Sequence, residues 1–339
     1  MRFIGTCRAA AVLAVLSTSF LIFCQAVPAQ QDKPSDAPKV SKKEGELANK
    51  MQEGTDVGAK LKLAEKFIKD FPNSPLREQV ARYIAGSIST VADLNQKLAF
   101  YDAYAKIFTK AGESDYAAPF QVEAYSKTKR YDEAFRLGGD YLSRFSGDLW
   151  LRLHLAIEGS NLARGGNRQY LDQTRAIIGK AIEIIESGTK PAEISDNDWK
   201  LAPTVWLAQF YQSLGFVIYS SGKRAEAAAT FEKAASLDPK EVNNWAMIAD
   251  ITNQNYQDLA QKYMVASGSE QAELRKKAEA ELDKVIELYA HVVGLTDGVP
   301  EKANLNTQMR GDLESYYKYR HRNSTDGMQA LIDKYKTPK

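Results

Sequence analysis

Cysteine and histidine are scarce in this chain. Only two of its 339 residues are cysteines, and both of them, Cys7 and Cys24, lie near its start. The three histidines, His154, His291 and His321, are far apart in the sequence, and none has a second histidine at the spacing of a zinc-binding helix. We therefore predict that the protein holds no metal and no cofactor, and that its stability comes from packing rather than from disulfides.

The common signatures of catalysis and of phosphate binding are also absent. The sequence contains no GxSxG elbow, no GxxxxGK[ST] loop and no GxGxxG turn. Carboxylate pairs such as Glu183 with Glu186 lie in charged helix faces, where contact with solvent explains them. We predict that the protein is not an enzyme. An enzyme whose site is assembled from scattered residues stays open as an alternative.

The start of the chain does carry a pattern, which is typical of a secretory signal. Arg2 and Arg8 precede an apolar run from Ala9 to Phe23, and the small residues of AVPA follow. We predict a signal peptide over residues 1–29. This prediction implies export across the inner membrane and a protein that is periplasmic or associated with the cell envelope, with no transmembrane segment after cleavage.

Two alternatives to cleavage after Ala29 are a membrane anchor and a lipidated cysteine. The apolar run of about 15 residues is shorter than the ~20 residues that a spanning helix needs. Lipidation at Cys24 is disfavoured because bulky Phe23 stands where a lipoprotein signal normally carries a small residue.

Charge is balanced once the signal is removed. The whole chain has 45 basic and 43 acidic residues, and the signal contains two of the arginines and no acid. The remaining chain therefore has as many basic as acidic residues. A surface that binds phosphates usually needs a basic excess, so we predict that nucleic acid is not a partner.

Residues 30–53 differ in composition from the rest of the chain. They are rich in Lys, Asp, Ser, Gln and Pro and poor in large apolar residues, which is typical of a solvated linker. We predict that this segment is disordered, with the first helix beginning near Gly45.

From residue 54 onward the sequence has the periodicity of helices, without the alternating pattern of strands. Turn-forming segments recur at intervals of about 35 to 60 residues. They are FPNSP at 71–75, KAGES at 110–114, RFSGD at 144–148, ESGTKP at 186–191, LDPKE at 237–241 and GLTDG at 294–298. Such a period is typical of one helical hairpin per repeat. We predict an all-α fold of tandem antiparallel helical hairpins over residues 54–296, with capping helices over residues 297–339.

One stretch of this region has a distinctive order of large and small residues. The order runs Tyr211, Leu214, Gly215, Ile218, Ala227, Phe231, Ala234 and Pro239. It resembles the tetratricopeptide repeat (TPR), and a second unit that begins near Trp245 follows it. The resemblance implies a right-handed superhelix, an α-solenoid, in which small residues let two helices approach closely. Gly215 and Ala227 would form this close contact, and Phe231 would fill the space between hairpins.

The TPR resemblance also implies a binding groove. In this family four positions of the first helix of each unit line the concave face. Carried onto this sequence, they are Gln209, Gln212, Phe216 and Tyr219 in one unit and Asn243, Ala246, Asp250 and Asn253 in the next. Amides can bond both backbone N–H and C=O groups, and two aromatic residues could anchor a partner. The alternative for these aromatic residues is packing beneath the neighbouring hairpin.

The resemblance thus implies an exported, non-catalytic scaffold whose concave groove binds a protein or an extended peptide of the cell envelope. A periplasmic receptor for a small molecule or a glycan, using the same groove, is the alternative. The C-terminal segment YYKYRHR at 316–322 is basic and aromatic. We interpret its tyrosines as a cap on the last repeat and its cations as solvent-facing, while a surface for phosphate, carboxylate or nucleic acid stays open.

Overall fold

The computed structural model describes residues 40–336. The predicted signal peptide, with its cleavage point after Ala29, lies outside the described residues. Within residues 40–336 all regular secondary structure is helical, which confirms the predicted all-α class. The chain divides into two compact units, one ending at Ser146 and the other beginning at Gly147.

The first unit is built from helices that pack in pairs. These are α1 (Lys42–Glu53), α2 (Val57–Asp70), α3 (Arg77–Ser89), α4 (Leu94–Ile107), α5 (Ala118–Lys127) and α6 (Tyr131–Arg144), with a 3-10 turn at Glu113–Tyr116. Helix α1 contacts α2, α3 contacts α4, and α5 contacts α6. Large aromatic side chains fill the core, because Phe67, Tyr101, Tyr104 and Phe108 are at most 2% exposed.

Helix α1 corrects the predicted disordered linker over residues 30–53, since residues 42–53 are helical. The helix begins with a capping box. The Glu44 backbone N–H donates to Ser41 Oγ at 3.3 Å, and the Ser41 backbone N–H donates to the Glu44 carboxylate at 2.6 Å. Met51 is 1% exposed and belongs to the core of the unit. The polar composition concealed a short apolar stripe, which is enough to dock α1 on its neighbours.

The second unit continues the pattern of helical hairpins. Its helices are α7 (Leu149–Arg164), α8 (Leu171–Glu186), α9 (Asp196–Leu201), α10 (Leu207–Ser220), α11 (Arg224–Leu237), α12 (Val242–Val265), α13 (Gly268–Thr296), α14 (Ala303–Arg320) and α15 (Met328–Asp333). A π-helical turn at Ala202–Trp206 joins α9 to α10. The pairs α7/α8, α10/α11 and α12/α13 are in contact, and α10 also packs on the preceding pair. The predicted tandem hairpins are confirmed here.

The hairpin α10/α11 contains the residues that resemble a TPR unit. Its turn has Gly222 at a φ of +80°, a left-handed conformation that glycine adopts without a steric penalty. A Cβ atom built on Gly215 would lie 2.7 to 2.8 Å from ring atoms of Phe231. The closest approach to Gly215 is therefore made by the Phe231 ring, and the predicted contact between Gly215 and Ala227 stays a prediction. Ala227 is also fully buried, at 0% exposure.

The C-terminal helices cover the last hairpin. Helix α13 ends at Thr296, and both α14 and α15 pack on it. A Cβ atom on Gly294 would lie 2.7 Å from the carbonyl oxygen of Ile332 and 2.8 Å from Cβ of Tyr335. The buried side chains of Leu313 and Ile332, both at 0% exposure, complete this core. The described part of the predicted capping segment thus packs against the repeat before it.

Candidate functional site

The predicted groove positions lie on neighbouring sides of α10 and α12. With 3.6 residues per turn, positions 209, 212, 216 and 219 share one side of α10, and positions 243, 246, 250 and 253 share one side of α12. The Gln212 amide Nε2 donates to Asn244 Oδ1 at 3.0 Å, and the Tyr219 hydroxyl donates to Asp250 Oδ2 at 3.1 Å. These bonds join two helices that belong to successive hairpins.

A first cluster of polar side chains surrounds the Tyr219 hydroxyl. It consists of Tyr219, Asp250 and Gln254. The Gln254 amide Nε2 donates to the Tyr219 oxygen at 2.7 Å and to Asp250 Oδ2 at 2.8 Å. Because the hydroxyl also donates to Asp250, it acts as donor and acceptor at once. The first cluster therefore holds the tyrosine of α10 against one turn of α12.

A second cluster repeats this arrangement on the other side of α12. It consists of Asn253, Gln257 and Tyr316, and Tyr316 comes from α14. The Tyr316 hydroxyl donates to Asn253 Oδ1 at 2.9 Å and accepts from the Gln257 amide Nε2 at 3.0 Å. Helix α12 therefore supplies two pairs with a spacing of four residues, and a tyrosine from each flanking helix bonds one pair.

We call the two clusters, together with the bond from Gln212 to Asn244, the polar ladder. The ladder crosses α10, α12 and α14 in the second unit. Its members Gln212, Tyr219, Asp250, Asn253, Gln254 and Tyr316 are half-buried, Asn244 is buried, and Gln257 is exposed. The groove positions predicted from the sequence include the first four of these eight residues and omit Gln254, Tyr316, Asn244 and Gln257. The spacing of four residues from Asp250 and from Asn253 could have indicated the two glutamines.

Aromatic rings pack beside the second cluster. The ring centroids of Tyr256 and Tyr289 lie 5.7 and 5.9 Å from that of Tyr316. Burial, reinforced by the neighbouring Tyr319 and Tyr316, raises the pKa of Tyr256. Its hydroxyl, like that of an ordinary tyrosine, is protonated at neutral pH.

Phe216 does not line an open groove, contrary to its predicted role as an anchor. Its side chain is 6% exposed, and its ring meets that of Phe231 edge-on at 5.0 Å. The Arg164 guanidinium from α7 covers the ring at 4.4 Å from the centroid. The alternative interpretation, packing beneath the neighbouring hairpin, is correct for Phe216, because α7 supplies a cation that closes over this position.

The remaining predicted positions differ in their hydrogen bonding and in their place beside the ladder. Gln209, Asn243 and Ala246 are half-buried. The Gln209 Oε1 atom is buried, and among the residues that the structure describes it has no hydrogen-bond partner. Asn243 and Ala246 lie on the same side of α12 as Asp250 and Asn253, so they border the polar ladder without being members of it.

The ladder can still bond a ligand after its internal bonds are counted. Gln212, Gln254 and Gln257 use their Nε2 atoms within the ladder, and Asn253 uses its Oδ1 atom. Each amide has both a donor and an acceptor side, so three carbonyl oxygens and one NH₂ group can serve a partner. This mixture of acceptors and donors matches the C=O and N–H groups of a peptide backbone.

Comparisons with known proteins give the following result. No family model matches the chain, and no curated protein matches it. Three solved structures to which it is similar are TPR proteins. One comes from Thermus thermophilus, with 15% identity and a TM-score of 0.35 over 70% of this chain and 98% of that one. One comes from Parabacteroides merdae, with 13% identity and a TM-score of 0.41 over 86% of this chain and 98% of that one.

The third structure is the C-terminal part of a TPR repeat-containing protein from Cytophaga hutchinsonii. It shares 14% identity and a TM-score of 0.41, over 87% of this chain and all of that chain. Likenesses at this level concern the fold, and the assignment of hairpins in this chain rests on its own packing, in particular on the contact between Gly215 and Phe231.

The basic and aromatic C-terminal segment is used in packing. Tyr316 belongs to the second cluster, and Tyr317 is 7% exposed, with its hydroxyl donating to the Asp326 carbonyl at 2.7 Å. Arg320 forms a two-bond ion pair with Asp283, at 2.7 and 3.1 Å. This arrangement supports the interpretation of the segment as a cap.

Within residues 40–336, no three His, Cys, Asp or Glu side chains are close enough together to hold a metal ion. None of the helices in the range has the length and apolarity to cross a bilayer.

Proposed function

We propose that the protein is an exported helical-repeat scaffold, without catalysis of its own, that binds an extended polypeptide across the polar ladder. The observation that carries this proposal is the chemistry of the ladder. It presents amide oxygens and an amide NH₂ group on two neighbouring helices, α10 and α12, from uncharged side chains that are at least partly exposed. A polypeptide backbone offers the complementary groups at regular spacing.

The charge of the ladder favours an internal segment of the partner rather than its terminus. Asp250 is the ionisable carboxylate of the ladder, and it is already bonded to Tyr219 and Gln254. No lysine or arginine is a member of the ladder, so nothing in it is suited to hold a terminal carboxylate. With Phe216 in the core, Tyr219 and Tyr316 are the aromatic residues of this face, and each is partly exposed.

Export is supported by the sequence pattern of residues 1–29, where two arginines precede a short apolar run and small residues. A periplasmic or envelope location follows from the same pattern. The partner would then be another polypeptide of the cell envelope. A scaffold role also agrees with the absence of a catalytic motif in the sequence.

The test introduces an arginine side chain beside the polar ladder and leaves the residues that form its hydrogen bonds unchanged. Ala246→Arg projects from α12 between Asn243 and Asp250 and should obstruct a chain that lies on this face. A photo-reactive amino acid at Asn243 identifies the partner in the native envelope by mass spectrometry of the adduct. We expect a polypeptide adduct, and Ala246→Arg should weaken binding of that partner by about tenfold, or ~1.4 kcal/mol.

Ala280→Arg is the matched control, because Ala280 is an exposed alanine on α13. It should bind the partner as the parent does, and both variants should keep the parent's helical circular dichroism. An adduct that is a lipid or a glycan, or equal binding by the folded Ala246→Arg variant, would show that the ladder is not the polypeptide site.

A further inference from the structure

A cleft of about 440 Å³ lies in the second unit, away from the polar ladder. Its walls are α8 and α11, and its floor is a different side of α10, formed by Tyr211, Leu214 and Ile218. Positions 211, 214 and 218 are separated from positions 212 and 219 by roughly a third of a turn around the helix axis. The volume is within the range of ~300 to 1,000 Å³ that is usual for ligand sites.

Small residues on both walls create the cleft. Gly179 on α8 is exposed, and a Cβ atom built on it would have no neighbour within 4 Å. Ala229 faces it from α11 and is also exposed. The floor is formed by the side chains of Tyr211, Leu214 and Ile218, of which Leu214 is half-buried while Ile218 and Tyr211 are 2% and 8% exposed. The cleft therefore offers a small apolar surface, mainly that of Leu214, that no side chain from its own walls fills.

Charged groups stand at the ends of the cleft. Arg175 on α8 pairs with Glu226 on α11 at 2.7 Å, and Glu226 is also 3.4 Å from Lys223. Lys233 lies over the Tyr211 ring, with Nζ 5.2 Å from the centroid. Within residues 40–336, no carboxylate oxygen lies within 4.0 Å of this ammonium group, so the cleft has one cation without a counter-ion. The lining has two cations and one carboxylate, and its net charge is positive.

The tyrosine beneath Lys233 is fixed in place. The Tyr211 hydroxyl donates to Glu186 Oε1 at 2.5 Å. Burial, with this hydrogen bond, raises the pKa of Tyr211 to about 12. The ring therefore stays neutral and presents its face to the ammonium group, which keeps Lys233 at the edge of the apolar floor.

We propose that this cleft binds the C-terminal residue of a partner polypeptide, with an apolar side chain on the α10 floor and the terminal carboxylate at Lys233. The two properties that the cleft combines are an unfilled apolar floor and an unpaired cation at its edge. A C-terminal leucine, isoleucine or phenylalanine has an apolar group and a carboxylate within one residue. The site is separate from the polar ladder, so it does not depend on the function proposed above.

The test uses a pair of peptides that differ only in terminal charge. The probes are acetyl-Ala-Ala-Leu with a free carboxylate and the same peptide with a C-terminal amide, titrated into the whole chain by NMR. We expect saturable shifts of the amide signals of α8, α10 and α11 for the carboxylate, and at least tenfold weaker binding for the amide. Lys233→Met keeps the apolar stem and should weaken binding of the carboxylate by a similar factor.

A second variant blocks the cleft without weakening the helix. Gly179→Leu fills the open space, and leucine is also a better helix former than glycine. It should abolish binding while the protein stays folded. Gly311→Leu is the matched control, because Gly311 is an exposed glycine in α14 with no neighbour within 4 Å of a built Cβ. This control should bind as the parent does.

Three results would overturn the proposal. They are the absence of saturable binding by the carboxylate peptide, equal binding of the carboxylate and the amide, and undiminished binding by folded Gly179→Leu. Free 4-methylpentanoate provides the last arm of the test. If it binds as tightly as the peptide, the assignment of the ligand to a polypeptide terminus is wrong.

Discussion

The contact between Gly215 and Phe231 allows a quantitative test of the hairpin packing. A Cβ atom at position 215 would lie 2.7 to 2.8 Å from three ring atoms of Phe231, whereas carbon atoms pack at about 3.5 to 4.0 Å. The ring would have to move by nearly an ångström. It is 0% exposed and packs edge-on against Phe216, so the movement would disturb a second ring.

Two effects of opposite sign act in Gly215→Ala. Overpacking of a tight core costs about 1 to 3 kcal/mol, while replacement of a helical glycine by alanine stabilises a helix by up to ~1 kcal/mol. Gly311→Ala separates them, because Gly311 is helical and has no neighbour within 4 Å of a built Cβ. We expect Gly311→Ala to stabilise the protein slightly and Gly215→Ala to be less stable than this control by about 1 to 3 kcal/mol.

The assay is urea unfolding followed by circular dichroism, with hydrogen exchange of residues 207–237 to detect local melting. Phe231→Leu shortens the side chain that causes the clash, although it leaves a cavity when made alone. The double variant should therefore lose less stability than the sum of the single variants, by at least ~0.5 kcal/mol. If Gly215→Ala is as stable as Gly311→Ala, the close approach of α10 and α11 at this point is refuted.

Two further predictions concern pH and buried charge. In the first unit Arg77 and Glu113 form an ion pair whose side chains are 9% and 8% exposed. Burial raises the pKa of Glu113, but the bonds from Arg77 and from the Lys110 backbone N–H prevail and lower it overall. Glu113 therefore contributes to the free energy of unfolding above about pH 4.5, and this contribution is lost as the pH falls through the lowered pKa of its carboxyl group. Glu113→Gln should cost about 3 to 5 kcal/mol in urea unfolding, and replacing both residues by apolar ones should cost much less. In the second unit, burial lowers the pKa of His291, with Glu287 opposing and Lys334 adding to this effect. The His291 ring stacks on that of Tyr335, with centroids 4.2 Å apart. Because its pKa is lowered, neutral His291 contributes its full stabilisation above about pH 6.5, and this contribution decreases at lower pH. Proteolysis near Tyr335 should therefore accelerate between about pH 6.5 and pH 5.5, and His291→Gln should remove this dependence.

The hairpins were predictable because their signals are local. Turn residues such as Gly222 and the order of large and small residues around Gly215 follow from backbone conformation and helix spacing alone. The partner of Gly215 was not predictable, because it depends on the rotation of α11 about its own axis. That rotation is set by contacts with the next hairpin, where Phe231 meets α12 residues in the same core.

The candidate site was also predictable only where it depends on local signals. The TPR resemblance implied Gln212, Tyr219, Asp250 and Asn253 as groove positions, and in the structure the first two lie on α10 and the other two on α12, joined by hydrogen bonds of the polar ladder. The resemblance could not show that Arg164 closes over Phe216, because a neighbouring hairpin supplies that arginine. The hydrogen bond from Tyr316 to Asn253 was likewise not predictable, because the two residues lie far apart in the sequence. Before residue 54, the predicted start of the first helix near Gly45 is close to the observed start at Lys42. The predicted disorder up to residue 53 was wrong, because average composition outweighed the local capping motif at Ser41.

The contact at Gly294 bears on how many hairpins this chain can join in a row. A stack of hairpins has an unpaired apolar end, and the end of one molecule can in principle accept the beginning of another. Here Ile332 and Tyr335 lie against Gly294 at a separation that no Cβ atom would permit. Residues of α15 and of the turn after it thus occupy the surface of α13 on which a further hairpin would stack. A second molecule could add its first hairpin at this surface only by displacing α15.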